Sequence, residues 1–310
     1  MSAHEETVIV ANGLSKTFPG GVQAVSALDL AVPRGSVYGL IGKNGAGKTT
    51  AIRLLMGLLR ADSGRAEILG QNMWRAPHTH RERVAYVSQD QQVHAWMTLD
   101  EFCHYGLHLY AKWDQPYAAK LAHRFGLAMN RQTGLMSGGE RRKAAILLAL
   151  AARPDVLIMD EPAAGLDPIA RRELVDALVE SLSEGHGQTV LFSTHIISDL
   201  ERVADHVGIM DRGRMVSSSP LEELQSATKR VQIIFTGTAV PETFSLAGAV
   251  RVQMSGPVYT AVVRLATEDA LEGLGDRLGA RVSVFPLGLE DIFIELFGKE
   301  SQTELHEERT

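Results

Sequence analysis

An α/β fold built around a phosphate-binding loop, with a small α+β domain appended, is what the sequence predicts, and three observations carry it. The first is the run Gly42-Lys43-Asn44-Gly45-Ala46-Gly47-Lys48-Thr49-Thr50, which fits G-x-x-x-x-G-K-[ST] and lies between apolar residues 37–41 and a helical stretch. The second is a pair of apolar strand-like runs, residues 156–159 and 189–192, that end in Asp160-Glu161 and Ser193-Thr194-His195. Open α/β sheets hold their ligands at such strand ends. The third is a change of pattern after about residue 226, where strand-like runs and two helical ones replace the earlier alternation.

The bulk properties narrow the function classes. A chain of 310 residues with 45% hydrophobic content has room for one large domain and a smaller one. Its formal charge of −6 gives no basic footprint, so no nucleic-acid partner is expected. Cys103 is the only cysteine, which excludes an intrachain disulfide and a cysteine-built zinc site and suits a reducing cytosol. Met1-Ser2-Ala3-His4-Glu5-Glu6 is polar and acidic where a signal peptide is basic and then apolar. The longest apolar runs, such as residues 144–152, fall far short of the ~20 residues that span a bilayer. Work at a membrane then requires another chain to supply the membrane part.

Taken in order, residues 7–10 and 27–32 read as strands, joined through the turn Phe18-Pro19-Gly20-Gly21. Phe18 either stacks on a purine ring or plugs the core edge. In the loop that follows residues 37–41, Gly45 and Gly47 let successive N–H groups point inward, and the helix from Lys48 aims its positive end at the same spot. Lys48 would neutralise β- and γ-phosphates, and the Thr49 hydroxyl would ligate Mg²⁺. The helix is expected over residues 51–59 and closes at Asp62-Ser63-Gly64; residues 66–69 and 84–87 read as strands, the second leading to Ser88-Gln89-Asp90.

Residues 98–127 are helical in pattern, opened by a capping box of Thr98 and Glu101, with a second helix over 116–125 that stops at Gly126. His104 and His108 have the i, i+4 spacing of a metal pair but no third ligand nearby, which favours two ordinary helix-face histidines. Met136-Ser137-Gly138-Gly139-Glu140 opens a long apolar helix to Ala152, a second glycine turn at a helix start. Asp160 is placed to hold Mg²⁺ through its water shell and Glu161 to polarise the attacking water. Gly165-Leu166-Asp167-Pro168 is a tight loop before a helix over 169–182, and His195, ending a strand of the same sheet, is read as a γ-phosphate contact.

In this order the motifs resemble those of the ATP-binding cassette (ABC) family: Walker A (Gly42 to Thr49), Q-loop (Gln89), signature (Ser137-Gly138-Gly139), Walker B (Asp160-Glu161), D-loop (Asp167) and H-loop (His195). The resemblance covers about residues 7–225 and implies a P-loop NTPase of ABC type, a mixed sheet core with an inserted helical subdomain over about 91–152. It implies ATP and Mg²⁺ as ligands and a head-to-tail dimer, with ATP between one chain's cradle and the other chain's Ser137, Gly138, Gly139 and Glu140. Gln89 would join Thr49 and Asp160 at the Mg²⁺ and sense the γ-phosphate. Phe18 looks like the adenine-stacking aromatic, where tyrosine is more usual. Lys43, Met136, Glu140 and Ala163-Ala164 depart from the family's commoner residues, and none of them removes a group with an assigned role.

The C-terminal part, residues 226–298, reads as strands over 230–235, 250–254, 258–265 and 281–285, with helices over 268–278 and 289–296. Its ending resembles the close of C-terminal domains in bacterial exporter-type cassette ATPases. Residues 299–310 are charged and read as a disordered tail. The implied function is the ATPase subunit of a membrane exporter at the cytoplasmic face of the inner (plasma) membrane. Every catalytic element is present in one chain, so a homodimer would hold two complete sites beside a separate integral membrane subunit. A soluble cassette ATPase acting on DNA or ribosomes is the alternative, disfavoured by the lack of coiled-coil insertions, zinc cysteines or a second cradle. A GTPase or kinase lacks support, since no Asn-Lys-x-Asp motif occurs.

Overall fold

The structure, a computed structural model, describes residues 6–89, 94–184, 187–235, 246, 248–256, 258–264 and 273–297. The chain divides into two compact units, Met1–Ser218 and Ser219–Thr310. The division falls before the expected boundary at residue 225, because the helix following Pro220 belongs to the second unit.

The first unit runs β1 (Thr7–Thr17), β2 (Gln23–Pro33), β3 (Val37–Ile41), α1 (Lys48–Leu55), β4 (Ser63–Ile68), α2 (His78–Arg81), β5 (Val84–Val87), α3 (Leu99–Leu109), α4 (Gln115–Arg124), α5 (Gly138–Ala151), β6 (Val156–Asp160), α6 (Pro168–Ser183), β7 (Thr189–Thr194), α7 (Ile197–Leu200), β8 (His206–Asp211) and β9 (Arg214–Pro220). Its main sheet has the order β5-β6-β7-β3-β8-β9, and a three-stranded sheet has the order β2-β1-β4. Strands β5, β6, β7, β3 and β8 pair in parallel. Every residue of β3, β6 and β7 is buried, the signature of parallel strands covered on both faces, and it explains their unbroken apolar runs. The register sets Ile41 beside Thr194 and Asp160 beside Ser193, so the ends of three strands converge.

Strands β1 and β2 extend well past the expected spans and pair antiparallel with several register shifts. Asn12, Ser15 and Lys16 interrupt the apolar run without ending the strand, because Leu14 between them still packs into the core and the pairing with β2 continues through the register shifts. Helix α1 ends at Leu55, short of the expected residue 59. Gly57 has a φ of 65°, and a Cβ there would lie 2.4 Å from the Trp74 backbone nitrogen, so the chain turns where only glycine fits. Tyr38, Leu40, Ile52, Leu55, Ile158 and Leu191 share one core, each at most 0% exposed. Such side chains contribute about 1.5–3 kcal/mol apiece on burial.

Helices α3 and α4 form close to where the pattern predicts them. Thr98 caps α3 in a reciprocal box with Glu101, Asp114 caps α4, and Gly126 adopts a φ of 65° just past α4. His104 bonds the Asp100 carbonyl, and among the described residues no three ligating groups gather around a metal position. Ion pairs Lys143–Glu173, Lys120–Glu180 and Arg124–Glu180 tie α4 and α5 to α6.

The second unit comprises α8 (Leu221–Ala227), β10 (Thr228–Phe235), β11 (Ala249–Ser255), β12 (Val258–Arg264), α9 (Leu274–Leu278), β13 (Ala280–Pro286) and α10 (Leu289–Phe297). Its antiparallel sheet has the order β11-β12-β10-β13, an α+β arrangement around Val231, Ile233, Tyr259, Ala261 and Val263. Of the helix expected over 268–278, only the part from Gly273 lies within the described residues, and it is helical over Leu274–Leu278; the tail at 299–310 lies outside them. Among the described residues no helix is long and apolar enough to cross a membrane.

Candidate functional site

The cradle is shaped by what glycine permits. Gly45 and Gly47 have φ of 83° and 100°; a Cβ on Gly47 would meet the Ala24 carbonyl at 2.3 Å, and one on Gly42 the Met210 carbonyl at 2.5 Å. Gly47 caps α1 without a side-chain bond, and no acidic residue stands in the first turn. The helix start therefore offers bare N–H groups and an uncompensated positive end, which suits a phosphate. A cleft of about 450 Å³ opens here, lined by Phe18, Asn44, Gly45, Ala46, Gly47, Lys48, Thr49, Thr50, Gln89 and Glu161, with Val22 and Ala24 at its side. Phe18, 38% exposed, presents its ring at this cleft rather than plugging the core.

Below the cleft the strand ends form one polar network. Lys48, 5% exposed, donates to the carbonyls of Gly42 at 2.6 Å and Lys43 at 3.3 Å, and pairs with Glu161 Oε1 at 3.2 Å. Glu161 Oε2 accepts from His195 Nδ1 at 2.7 Å and from the His195 N–H at 3.3 Å. Glu161 has a φ of 50°, uncommon for a side-chain-bearing residue, and its N–H donates to the Ser193 hydroxyl and carbonyl, each at 3.1 Å. The Ser193 hydroxyl donates to Asp160 Oδ1 at 2.6 Å, and the Thr49 hydroxyl donates to the same oxygen at 3.2 Å.

Asp160 Oδ2 is buried and has no partner among the described residues. An orphaned carboxylate oxygen beside a hydroxyl and a phosphate cradle fits the oxygen-rich setting a divalent cation takes. Burial raises the Asp160 carboxyl above its ordinary 3.8, with the Glu161 charge adding to the rise while the Ser193 and Thr49 hydroxyls oppose it. A raised carboxyl binds its proton more tightly folded than unfolded, so stability falls as pH rises from 3.8 through the raised value. Asp160→Asn should remove that loss and raise Tm at neutral pH in the absence of divalent cations, while lowering cation-dependent turnover. Calorimetry at several pH values checks the first part, and an unchanged pH slope would count against it.

The predicted signature residues and Asp167 lie outside the cleft. Ser137 caps α5 in a reciprocal box with Glu140, and none of Ser137, Gly138, Gly139 or Glu140 lines the cleft. Gly138 has an ordinary φ, and a Cβ there would meet nothing within 4 Å, so neither backbone strain nor packing within this chain calls for glycine. Asp167 caps α6, accepting from Ile169 and Ala170 N–H at 2.9 Å each, and those bonds lower its carboxyl. Gln89 has its carbonyl bonded by Arg142 Nη2 at 3.0 Å, while Arg142 Nη1 donates to the Glu161 carbonyl at 2.6 Å. Arg142 and Ser193 are the organising residues that sequence reasoning missed: one ties α5 to two site segments, the other joins the Asp160 carboxylate to the Glu161 backbone N–H. Only the proximity of Ser193 to His195 in sequence hinted at either.

Comparison with known proteins gives the family. The profile of a family described as "ABC transporter" matches residues 25–164. The chain is 34% identical to daunorubicin resistance ATP-binding protein DrrA3 of Streptomyces coeruleorubidus, over 94% of this chain and 96% of that protein. It is 31% identical to Nod factor export ATP-binding protein I of Ralstonia nicotianae, over 94% of each. A solved structure described as the ATP-binding subunit of an ABC transporter superposes with a TM-score of 0.64 at 28% identity, covering 71% of this chain and 92% of that one.

Proposed function

The chain belongs to the ATP-binding subunits of the ABC transporter family, and on that footing we propose how its residues bind and hydrolyse ATP to drive export. Phosphates entering the cradle draw the Lys48 ammonium from Glu161, which releases Oε1 to take a proton from the attacking water. His195 keeps Oε2 oriented through Nδ1–H, and its Nε2 can donate to the γ-phosphate only as the imidazolium, in which both ring nitrogens carry a proton. The purine stacks on Phe18, and Asn44 and Thr50 line the phosphate path. Thr49, Asp160 and Gln89 would hold Mg²⁺, which when bound neutralises charge on the β- and γ-phosphates. Export is favoured because relatives matched over nearly their whole length are named for drug resistance and for Nod factor export.

The observation that carries the reading is that the signature lies off the chain's own cleft, with Gly138 facing open space. A second copy placed head to tail would bring its Ser137, Gly138, Gly139 and Glu140 to this chain's ATP, so we take the working unit to be a homodimer. Ser137→Arg should abolish turnover yet spare nucleotide binding by the monomer. Mixed with Lys48→Ala chains, it should recover about half of wild-type turnover per heterodimer, since one intact cradle then faces one intact signature. Heterodimers that form without recovery would argue against sharing.

A separate integral membrane subunit would hold the dimer at the cytoplasmic face of the inner (plasma) membrane. The aromatic group of residues 96–113 divides in the structure: Trp96 and Tyr105 are 69% and 49% exposed, whereas Phe102, Tyr110 and Trp113 are half-buried. Trp96→Ala and Tyr105→Ala should leave basal turnover and Tm near wild type but weaken stimulation by the membrane subunit, each by ~30-fold or more in affinity if it acts as an anchor. Trp113→Ala should instead lower Tm, because its ring fills the space where a Gly106 Cβ would stand. A Tm loss shared by Trp96→Ala and Tyr105→Ala would place docking elsewhere.

A further inference from the structure

Glu140 stands in the first turn of α5, where its charge meets any phosphate brought to the helix start. Both of its oxygens are engaged. Oε2 accepts the Ser137 N–H at 2.7 Å, and Oε1 accepts Arg131 Nη1 at 2.7 Å. Arg131 also donates Nη2 to the Leu135 carbonyl at 2.6 Å, so one planar guanidinium spans the loop and the helix start. The Ser137 hydroxyl oxygen accepts the Glu140 N–H at 3.2 Å, and its proton can turn to the Glu140 carboxylate or outward to a phosphate. The Ser137 N–H and hydroxyl, with Arg131 adding, hold the Glu140 carboxyl below its usual range, so it is ionised at neutral pH. A bare carboxylate at this place would repel a triphosphate and cancel part of the attraction of the helix end.

We infer that Arg131 is a positioning residue of the shared ATP site: it neutralises Glu140 and pins it to the Ser137 N–H, so that the Ser137 hydroxyl and the α5 start face the second copy's γ-phosphate without an opposing charge. The inference rests on the head-to-tail reading proposed above. It gives the glutamate at this place a neutral outward face by a different route from an amide, which is neutral by itself.

The test uses full-length chains, with turnover and ATP-driven dimerisation as readouts, the latter in a Glu161→Gln background. Arg131→Ala should weaken dimerisation and lower turnover roughly tenfold, more at low than at high salt, since an uncompensated repulsion is less screened there. Arg131→Ala/Glu140→Gln should recover most of that loss, because the amide oxygen can still accept the Ser137 N–H and carries no charge. Arg131→Ala chains mixed with Lys48→Ala chains should also recover, as the intact cradle then meets an intact signature. Wild-type dimerisation by Arg131→Ala overturns the inference. A double variant no better than Arg131→Ala overturns it too, leaving Arg131 only its bond to Leu135. Recovery in the Ser137→Arg and Lys48→Ala mixture would then keep the shared-site reading standing, whereas no recovery there removes that reading and this inference together.

Discussion

Glu161→Gln should lose roughly 10²-fold or more of ATP turnover while keeping ATP binding, since a positioned base contributes about 10²–10⁴. The amide keeps the shape of the side chain but cannot take a proton from water. It also removes the negative partner of Lys48 at 3.2 Å and of His195 at 2.7 Å, so the lysine is released to the phosphates without first giving up an ion pair. ATP affinity should therefore hold or improve, and the variant should collect as an ATP-bound dimer, because binding proceeds and the step that separates the copies does not. Single-turnover kinetics and size-exclusion chromatography with ATP read the two effects separately. Turnover within a few-fold of wild type would remove Glu161 from the role of base and shift attention to how His195 and Ser193 orient water.

Gly138→Ala should produce the opposite separation from an ordinary core variant: a protein as stable as wild type, or more so, with turnover down by about 10²-fold. Within this chain the new methyl meets nothing inside 4 Å and the backbone there is ordinary, while alanine loses less chain entropy than glycine on entering a helix, a gain of roughly 0.5–1 kcal/mol in a helix interior and less at its first residue. In the head-to-tail dimer proposed above, the same methyl would stand where the second copy's phosphate needs close backbone approach. Thermal melts of the monomer and steady-state turnover of the dimer measure the two. Lost stability together with lost turnover would mean the glycine serves the chain's own fold, and full turnover would place the signature away from the ATP.

The sequence by itself determined what depends on near neighbours. The cradle could be read because Gly42, Gly47, Lys48 and Thr49 act within one turn between a strand and a helix. The box of Thr98 and Glu101 was legible for the same reason, and Ser137 with Glu140 repeats that spacing. Fully buried β3, β6 and β7 announced themselves as unbroken apolar runs, which nothing but a covered parallel strand explains so simply.

The tertiary structure decided what depends on groups far apart in the chain. Arg142 reaches the Gln89 carbonyl across 53 positions, and Ser193 reaches Asp160 across 33; neither bond leaves a periodicity to find. The end of α1 was set by the backbone of Trp74 lying against Gly57, not by helix propensity. Trp96 and Trp113 are the same residue type in one segment, yet one is exposed and the other packs on Gly106, because burial is fixed by whatever the fold brings alongside. Short-range rules of capping, turn and period act through bonded neighbours and can be read along a line, whereas packing and hydrogen bonding act through space, where only the folded chain says which residues meet.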